Sequence, residues 1–120
     1  MNAKSVTPVL NVTDLAASFT WLEKWGWKKA WDWGSPPNFG SVESAECQIF
    51  LCVDGQGGRG EDGAWLCVAV DDIDKVHRQC VAANVEVTFT PTDMPWNFRE
   101  MHLRHPDGHI FRVGTEFEED

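Results

Sequence analysis

Leu10-Asn11-Val12-Thr13-Asp14-Leu15 and Val68-Ala69-Val70-Asp71-Asp72-Ile73 carry the same local pattern twice. They stand 58 positions apart and share one order of residue types: an apolar strand end, an acidic residue able to cap a helix, and the first apolar residue of that helix. At the same offset Gly26 falls on Asn84, and both types tolerate the left-handed conformation that ends a helix. Strand end, helix start and helix stop coincide at one offset, which marks a duplicated unit.

Reading outward from these anchors fills in each unit. Residues 5–12 read as a strand, with Pro8 at its start or on an edge. Asp14 caps a helix over 14–25, where Leu15, Phe19 and Leu22 recur on one face. Strands follow at 27–33, 39–44 and 47–53, with the turn Ser35-Pro36-Pro37-Asn38 between the first two. The second unit reads as a strand at 65–70, a helix over 72–83 with Ile73, Val76 and Cys80 on one face, and strands at 85–90, 98–104 and 109–114. Turns are expected at Pro91–Pro95 and at Pro106-Asp107-Gly108. Between the units, residues 54–63 hold five glycines, which oppose regular structure, and they lack the Gly-Lys-Ser/Thr ending of a phosphate-binding loop. The expected class is α+β, a single domain over 1–120 made of two βαβββ modules (1–54 and 64–115) joined by a glycine-rich connector at 55–63.

Composition narrows the function. A chain of 120 residues with 42% hydrophobic and 24% charged residues suits one globular domain with a real core. Ten Lys+Arg against 19 Asp+Glu give a net charge of −9, part of it in the tail at Glu116, Glu118, Glu119 and Asp120. An acidic surface disfavours nucleic acid and favours cationic small molecules, with solubility as the plainer reading. Apolar Val9–Leu10 is followed at once by polar residues, so no signal peptide is expected, and no apolar run approaches a membrane span.

The chemistry-bearing residues are few. Cys47, Cys52, Cys67 and Cys80 form no Cys-x-x-Cys pair, and they read as buried, reduced thiols of a cytoplasmic protein. His77 reads as a surface or boundary residue of the second helix. Glu100 and His102, two apart on a strand, share one face, where they take part in hydrogen bonds or line a groove. With His105 or His109 they offer a second option, an improvised metal site. No nucleophile–base pair is evident. Seven Trp and seven Phe with no Tyr is an unusual aromatic usage. Trp21 and Trp25 read as core. Trp27, Trp31 and Trp33 fall two or four apart and share one face of a strand, with Trp31 and Trp33 either lining a cavity or packing on the first helix.

Two segments carry a resemblance. Val9-Leu-Asn-Val-Thr-Asp-Leu-Ala-Ala-Ser-Phe19 resembles the opening strand and helix of the vicinal-oxygen-chelate superfamily, which includes glyoxalase I, extradiol dioxygenases and bleomycin-resistance proteins. Pro95-Trp-Asn-Phe-Arg-Glu100, followed by a strand and His105-Pro-Asp-Gly108, resembles the bleomycin-resistance signature, with His105 where Asp is usual. The resemblance implies that each half curls into part of a barrel and that two halves enclose a cavity, within a chain or across a dimer. Metal enzymes of this superfamily take ligands from the opening strand, the fifth strand and a Glu on the last strand. Here those regions hold Val6-Thr7-Pro8, Ala64-Trp65-Leu66 and Arg112, so the resemblance implies no metal, no cofactor and no catalytic residue.

What it implies instead is a cytoplasmic homodimer that sequesters a cationic aromatic small molecule of bleomycin type. Trp65, Trp96 and Phe39 match aromatic residues of the drug groove. The full ligand-binding set implied is Asn38, Phe39, Cys52, Trp65, Trp96, Phe98, Glu100, His102 and Arg112. Glu43, Glu46, Asp93 and Glu100 are the carboxylates available to attract a cation. The alternative is a metal-dependent glyoxalase-like lyase or dioxygenase, and a third class is an interaction domain with no small ligand.

Overall fold

A computed structural model describes residues 1–118, so Glu119 and Asp120 of the acidic tail lie outside it. The first unit runs β1 (Val9–Val12), α1 (Leu15–Glu23), β2 (Lys28–Gly34), β3 (Pro37–Ser44) and β4 (Cys47–Val53). The second runs β5 (Trp65–Ala69), α2 (Ile73–Ala82), β6 (Val87–Met94), β7 (Phe98–Arg104) and β8 (Ile110–Glu116). Each unit forms its own four-stranded mixed sheet, in the order β1-β4-β3-β2 and β5-β8-β7-β6. The first strand of each pairs parallel with the last, and the remaining pairs are antiparallel.

The duplication extends to the caps. Asp14 accepts the Ala17 N–H at 3.0 Å and Asp72 accepts the Lys75 N–H at 3.2 Å, so one short carboxylate starts each helix. Gly26 (φ 121°) and Asn84 (φ 59°) both take the left-handed conformation after the helix. The helices then diverge. α2 buries Ile73 and Cys80, whereas α1 buries Leu15, Ser18, Phe19, Trp21 and Leu22. The wider burial of α1 comes from a second partner. Trp21 and Trp25 pack at 5.5 and 5.3 Å on Phe111, which belongs to β8 of the other unit.

Four expectations need correction. β1 begins at Val9, not residue 5, and Val6 is exposed; Pro8 has no N–H for the ladder and contributes only its carbonyl, which accepts the Phe50 N–H at 2.9 Å. β6 continues through Pro91 to Met94, because it is the outer strand of its sheet, where a missing N–H costs no ladder bond. Trp27, Trp31 and Trp33 do not share a face. A register shift between Lys29 and Trp31 changes the phase, so Trp27 is buried against Trp25 and Lys29 reaches the Phe19 ring of α1, while Trp31 turns to the other side. Of the four thiols only Cys80 is buried, with its pKa pushed up to about 11 by that burial; Cys47 and Cys67 are exposed and Cys52 is half-buried. The connector contains one short 3-10 turn, Gly60–Asp62, and among the described residues no helix is long and apolar enough to cross a membrane.

A polar clamp, buried at its two histidines, joins the units. The Pro106-Asp107-Gly108 turn places Asp107 so that it accepts from the Thr13 N–H (3.0 Å) and hydroxyl (2.9 Å) at the β1–α1 junction. His105 and His109 are fully buried on either side of that turn. His105 Nδ1 accepts the Asp107 N–H at 2.9 Å, which leaves Nε2–H to meet Ser18 Oγ of α1 at 3.0 Å. His109 Nδ1 accepts the Ala64 N–H at 3.0 Å and Nε2–H donates to the Asn11 carbonyl at 2.7 Å. The connector is held to the same turn. Gly60 N–H donates to the Asp107 carbonyl at 2.7 Å, and Gly108 (φ 89°) lets the two backbones approach where a Cβ would collide with Gly60.

His105 is held as a neutral ring, its Nδ1 accepting a backbone N–H. Burial, reinforced by His109 and opposed by Asp107, lowers the His105 pKa from 6.5 to about 4. The unfolded chain therefore takes up a proton that the folded chain refuses between those values. The resulting stability is present above pH 6.5 and is lost as pH falls toward 4, on the order of 3 kcal/mol in all. Urea unfolding at a series of pH values should show this decline. His105→Gln should flatten it, and an unchanged slope in that variant would assign the decline to other groups.

Candidate functional site

The chemistry gathers on the face of the second sheet that points away from α2. In β7, Met101 and Leu103 are fully buried in the core, so Phe98, Glu100 and His102 emerge on the other face. In β8, Phe111 and Val113 are core, and Arg112 emerges opposite His102. In β5, Cys67 lies opposite Arg112, and Trp65 is two residues away on the same face. The turn before β7 brings Trp96 to the same place.

Glu100 is the centre of this group and is only 1% exposed. Its carboxylate accepts from Arg112 Nε and Nη2, both at 2.9 Å, from the Trp96 indole N–H at 3.3 Å, and sits 2.9 Å from His102 Nε2. The Arg112 hydrogen bonds outweigh the burial penalty, and with His102 and Trp96 they hold the Glu100 pKa at about 2. The Arg112 pKa is raised by the same contact. His102 is framed by Trp65 (ring centroids 5.6 Å, edge-on) and Phe89 (4.8 Å). Trp65 and Trp96 nevertheless remain 62% and 56% exposed.

The first sheet carries a second aromatic face. Trp31, Phe39 and Phe50 form a triangle with centroids 5.4 to 5.5 Å apart. Trp33 stands opposite Phe39 in the register and is exposed, and Cys52 lies opposite Phe39 on the other neighbouring strand. Asn38 is skipped in the register, where Trp33 pairs with Phe39 and Gly34 with Pro37, and its side-chain oxygen lies where a Cβ on Gly34 would stand. The structure thus brings Trp65, Trp96, Glu100, His102 and Arg112 together, with Phe98 on the same face, and places Phe39 and Cys52 on a different sheet. Among the described residues no ring contact joins the two sets within one chain. The sequence reading missed Phe50 and Phe89; Phe50 alternates with the core residues Ile49 and Leu51, which was an available signal, whereas Phe89 stands between exposed Thr88 and Thr90 beside a register shift and carries no such signal.

The carboxylates expected to attract a cation divide as well. Glu100 is saturated, and Asp93 accepts from Arg99 at 3.0 Å. Glu43 and Glu46 have no ion-pair partner among the described residues. The improvised metal set does not assemble either, because His105 and His109 are spent in the clamp, and no group of three donors occurs among the described residues. The donors do not fit a metal of the kind the resemblance suggests. The position of its last expected ligand holds a guanidinium, and that cation already occupies the one carboxylate buried on the face among the described residues. A cleft of about 690 Å³ lies beside β5, lined by Val6, Pro8, Trp27, Cys47, Leu66 and Cys67.

A family model for the glyoxalase/bleomycin resistance protein/dioxygenase superfamily matches residues 4–113. The chain belongs to this superfamily. A comparison with the curated proteins finds no match. Among solved structures the chain is similar to TioX from Micromonospora sp. (17% identity, TM-score 0.82, covering 96% of this chain and 100% of that one). It is similar to a bleomycin-binding protein complexed with bleomycin (17%, 0.78, 96% and 100%). It is also similar to lactoylglutathione lyase from Agrobacterium tumefaciens (16%, 0.77, 96% and 96%). At these identities the shared property is the superfamily fold of two mixed sheets with flanking helices.

The Glu100–Arg112 pair has a thermodynamic signature. Arg112→Leu strands a buried carboxylate and should cost about 2–3 kcal/mol at pH 7, toward the low end for a broken buried pair because Arg112 is partly in water. Glu100→Gln combined with Arg112→Leu should recover more than half of that loss. Chemical denaturation of the three proteins checks this, and equal losses in the single and double variants would contradict it.

Proposed function

We propose that this superfamily member is a non-catalytic binding protein of the bleomycin-resistance type, sequestering a cationic aromatic small molecule. The observation that carries the reading is the pair of exposed Trp65 and Trp96 rings set around a carboxylate whose hydrogen-bonding capacity is already filled by Arg112, His102 and Trp96. Flat rings held in place stack on heteroaromatic ligands at low entropic cost. A net charge of −9, with Glu43 and Glu46 free of ion pairs among the described residues, raises the local concentration of cations. Four unpaired cysteines suit the cytoplasm as its place of action.

In this reading the working form is a homodimer. The aromatic faces of one chain lie on separate sheets and stay open, and a two-fold partner supplies the opposite wall, giving two equivalent grooves in which Phe39 of one copy faces Trp65 and Trp96 of the other. Light scattering at micromolar concentration should give twice the chain mass. A stable monomer would leave each groove one-walled and count against the assembly.

Titration with metal-free and copper-loaded bleomycin, by calorimetry alongside intrinsic fluorescence, tests the binding. Saturable binding should weaken with added salt. Trp65→Ala and Trp96→Ala should each cost about 1–3 kcal/mol, the range for a stacked base or similar ring. Turnover of a glyoxalase or dioxygenase substrate without saturable bleomycin binding would instead establish the alternative, a metal-dependent lyase or dioxygenase.

A further inference from the structure

We propose that Arg112 is the hydrogen-bond donor that selects ligands whose stacked ring carries a neutral carbonyl oxygen, an inference that rests on the aromatic-ligand reading above. A guanidinium presents five N–H groups in a fixed fork. Glu100 accepts from Nε and Nη2 at 2.9 Å, which commits one edge of the fork. Nη1 has no partner among the described residues, and the side chain is 37% exposed. Arg112 itself is flanked in the register by Cys67 of β5 and His102 of β7. The His102 ring meets Trp65, and the Trp96 indole shares the Glu100 carboxylate. A ring lying on Trp65 or Trp96 therefore occupies the same small area of sheet as an unused, oriented donor.

Charge decides which acceptor that donor takes. Glu100 cancels the Arg112 charge locally, and the whole chain carries −9, so an anionic ligand meets net repulsion. A carbonyl oxygen meets no such penalty and accepts from a guanidinium, a stronger donor than a neutral amide. The two-point salt bridge holds the fork in one orientation before the ligand arrives, so little side-chain freedom is lost on binding. Glu100 is thus a positioning residue for a binding group, and the ligand it selects is a planar heteroaromatic with a ring carbonyl, which is compatible with a cationic substituent elsewhere.

Three probes of matched shape separate the possibilities: quinoline, 4-quinolone and quinoline-4-carboxylate, titrated by calorimetry and by the Arg112 Nε–H signal in NMR. Wild type should bind 4-quinolone about 10-fold tighter than either of the others, the size of one hydrogen bond to a charged donor, and only 4-quinolone should shift the Arg112 signal. Arg112→Lys keeps a charge for Glu100 but gives up the second edge, and should bring the three affinities to within about 2-fold. Should that variant melt before binding is measured, Glu100→Gln with Arg112→Leu serves in its place. Equal affinities in wild type, or a quinolone preference that survives in a folded Arg112 variant, would overturn the donor role while leaving aromatic binding intact. No binding of any quinoline also overturns it, and bleomycin titrated into the same samples then decides whether sequestration falls with it.

Discussion

The arrangement of the chain depends on a set of hydrogen bonds in which two buried histidines and one carboxylate tie the β1–α1 junction to the turn between β7 and β8. Each ring nitrogen is assigned: one accepts a backbone N–H near the turn, and the other donates across to the first unit. Such a network is stable only when every member is satisfied, since an orphaned polar group in the core costs as much as the bond it replaces. Here the bonds register the two units and set α1 so that Trp21 and Trp25 cover Phe111 of the second sheet. The hydrophobic core is therefore continuous between units that share no strand.

With one face of each sheet closed by this core, the other face is left for recognition. A carboxylate placed on that face and buried to 1% exposure is costly unless fully bonded, and Glu100 is bonded by a guanidinium, an indole and an imidazole. That solution excludes a second use. The lone pairs that a divalent ion would need are already directed at N–H donors, and the nearest charge is positive. The same bonds fix three side chains in defined positions, which is what a ligand-binding wall requires.

The superfamily fold does not choose among functions. A bleomycin-binding protein and a lactoylglutathione lyase share it with this chain at similar TM-scores. What distinguishes them must lie in the side chains on the open faces. In this chain those side chains are aromatic rings around a neutralised ion pair.

The sequence by itself determined the duplication. Asp14 and Asp72, Gly26 and Asn84, and the alternation in β7 and β8 are local signals, because capping, left-handed turns and strand periodicity act within a few residues. They were enough to place both helices, all eight strands and the shared face of Glu100 and His102. The family resemblance rested on equally local motifs around Asp14 and Trp96. Only the tertiary structure decided the rest. The register shift in β2 that separates Trp27 from Trp31 depends on the pairing partner β3, and the passage of β6 through Pro91 depends on β6 being the outer strand. Arg112 reads in sequence as a missing metal ligand, and in the fold it is the counter-ion of a carboxylate twelve residues away. His105 and His109, which sequence spacing offers as metal ligands beside Glu100, are drawn into the clamp by Ser18 and Asn11 at separations of 87 and 98 residues. Such contacts are set by packing between the two units, and no window along the chain contains both partners.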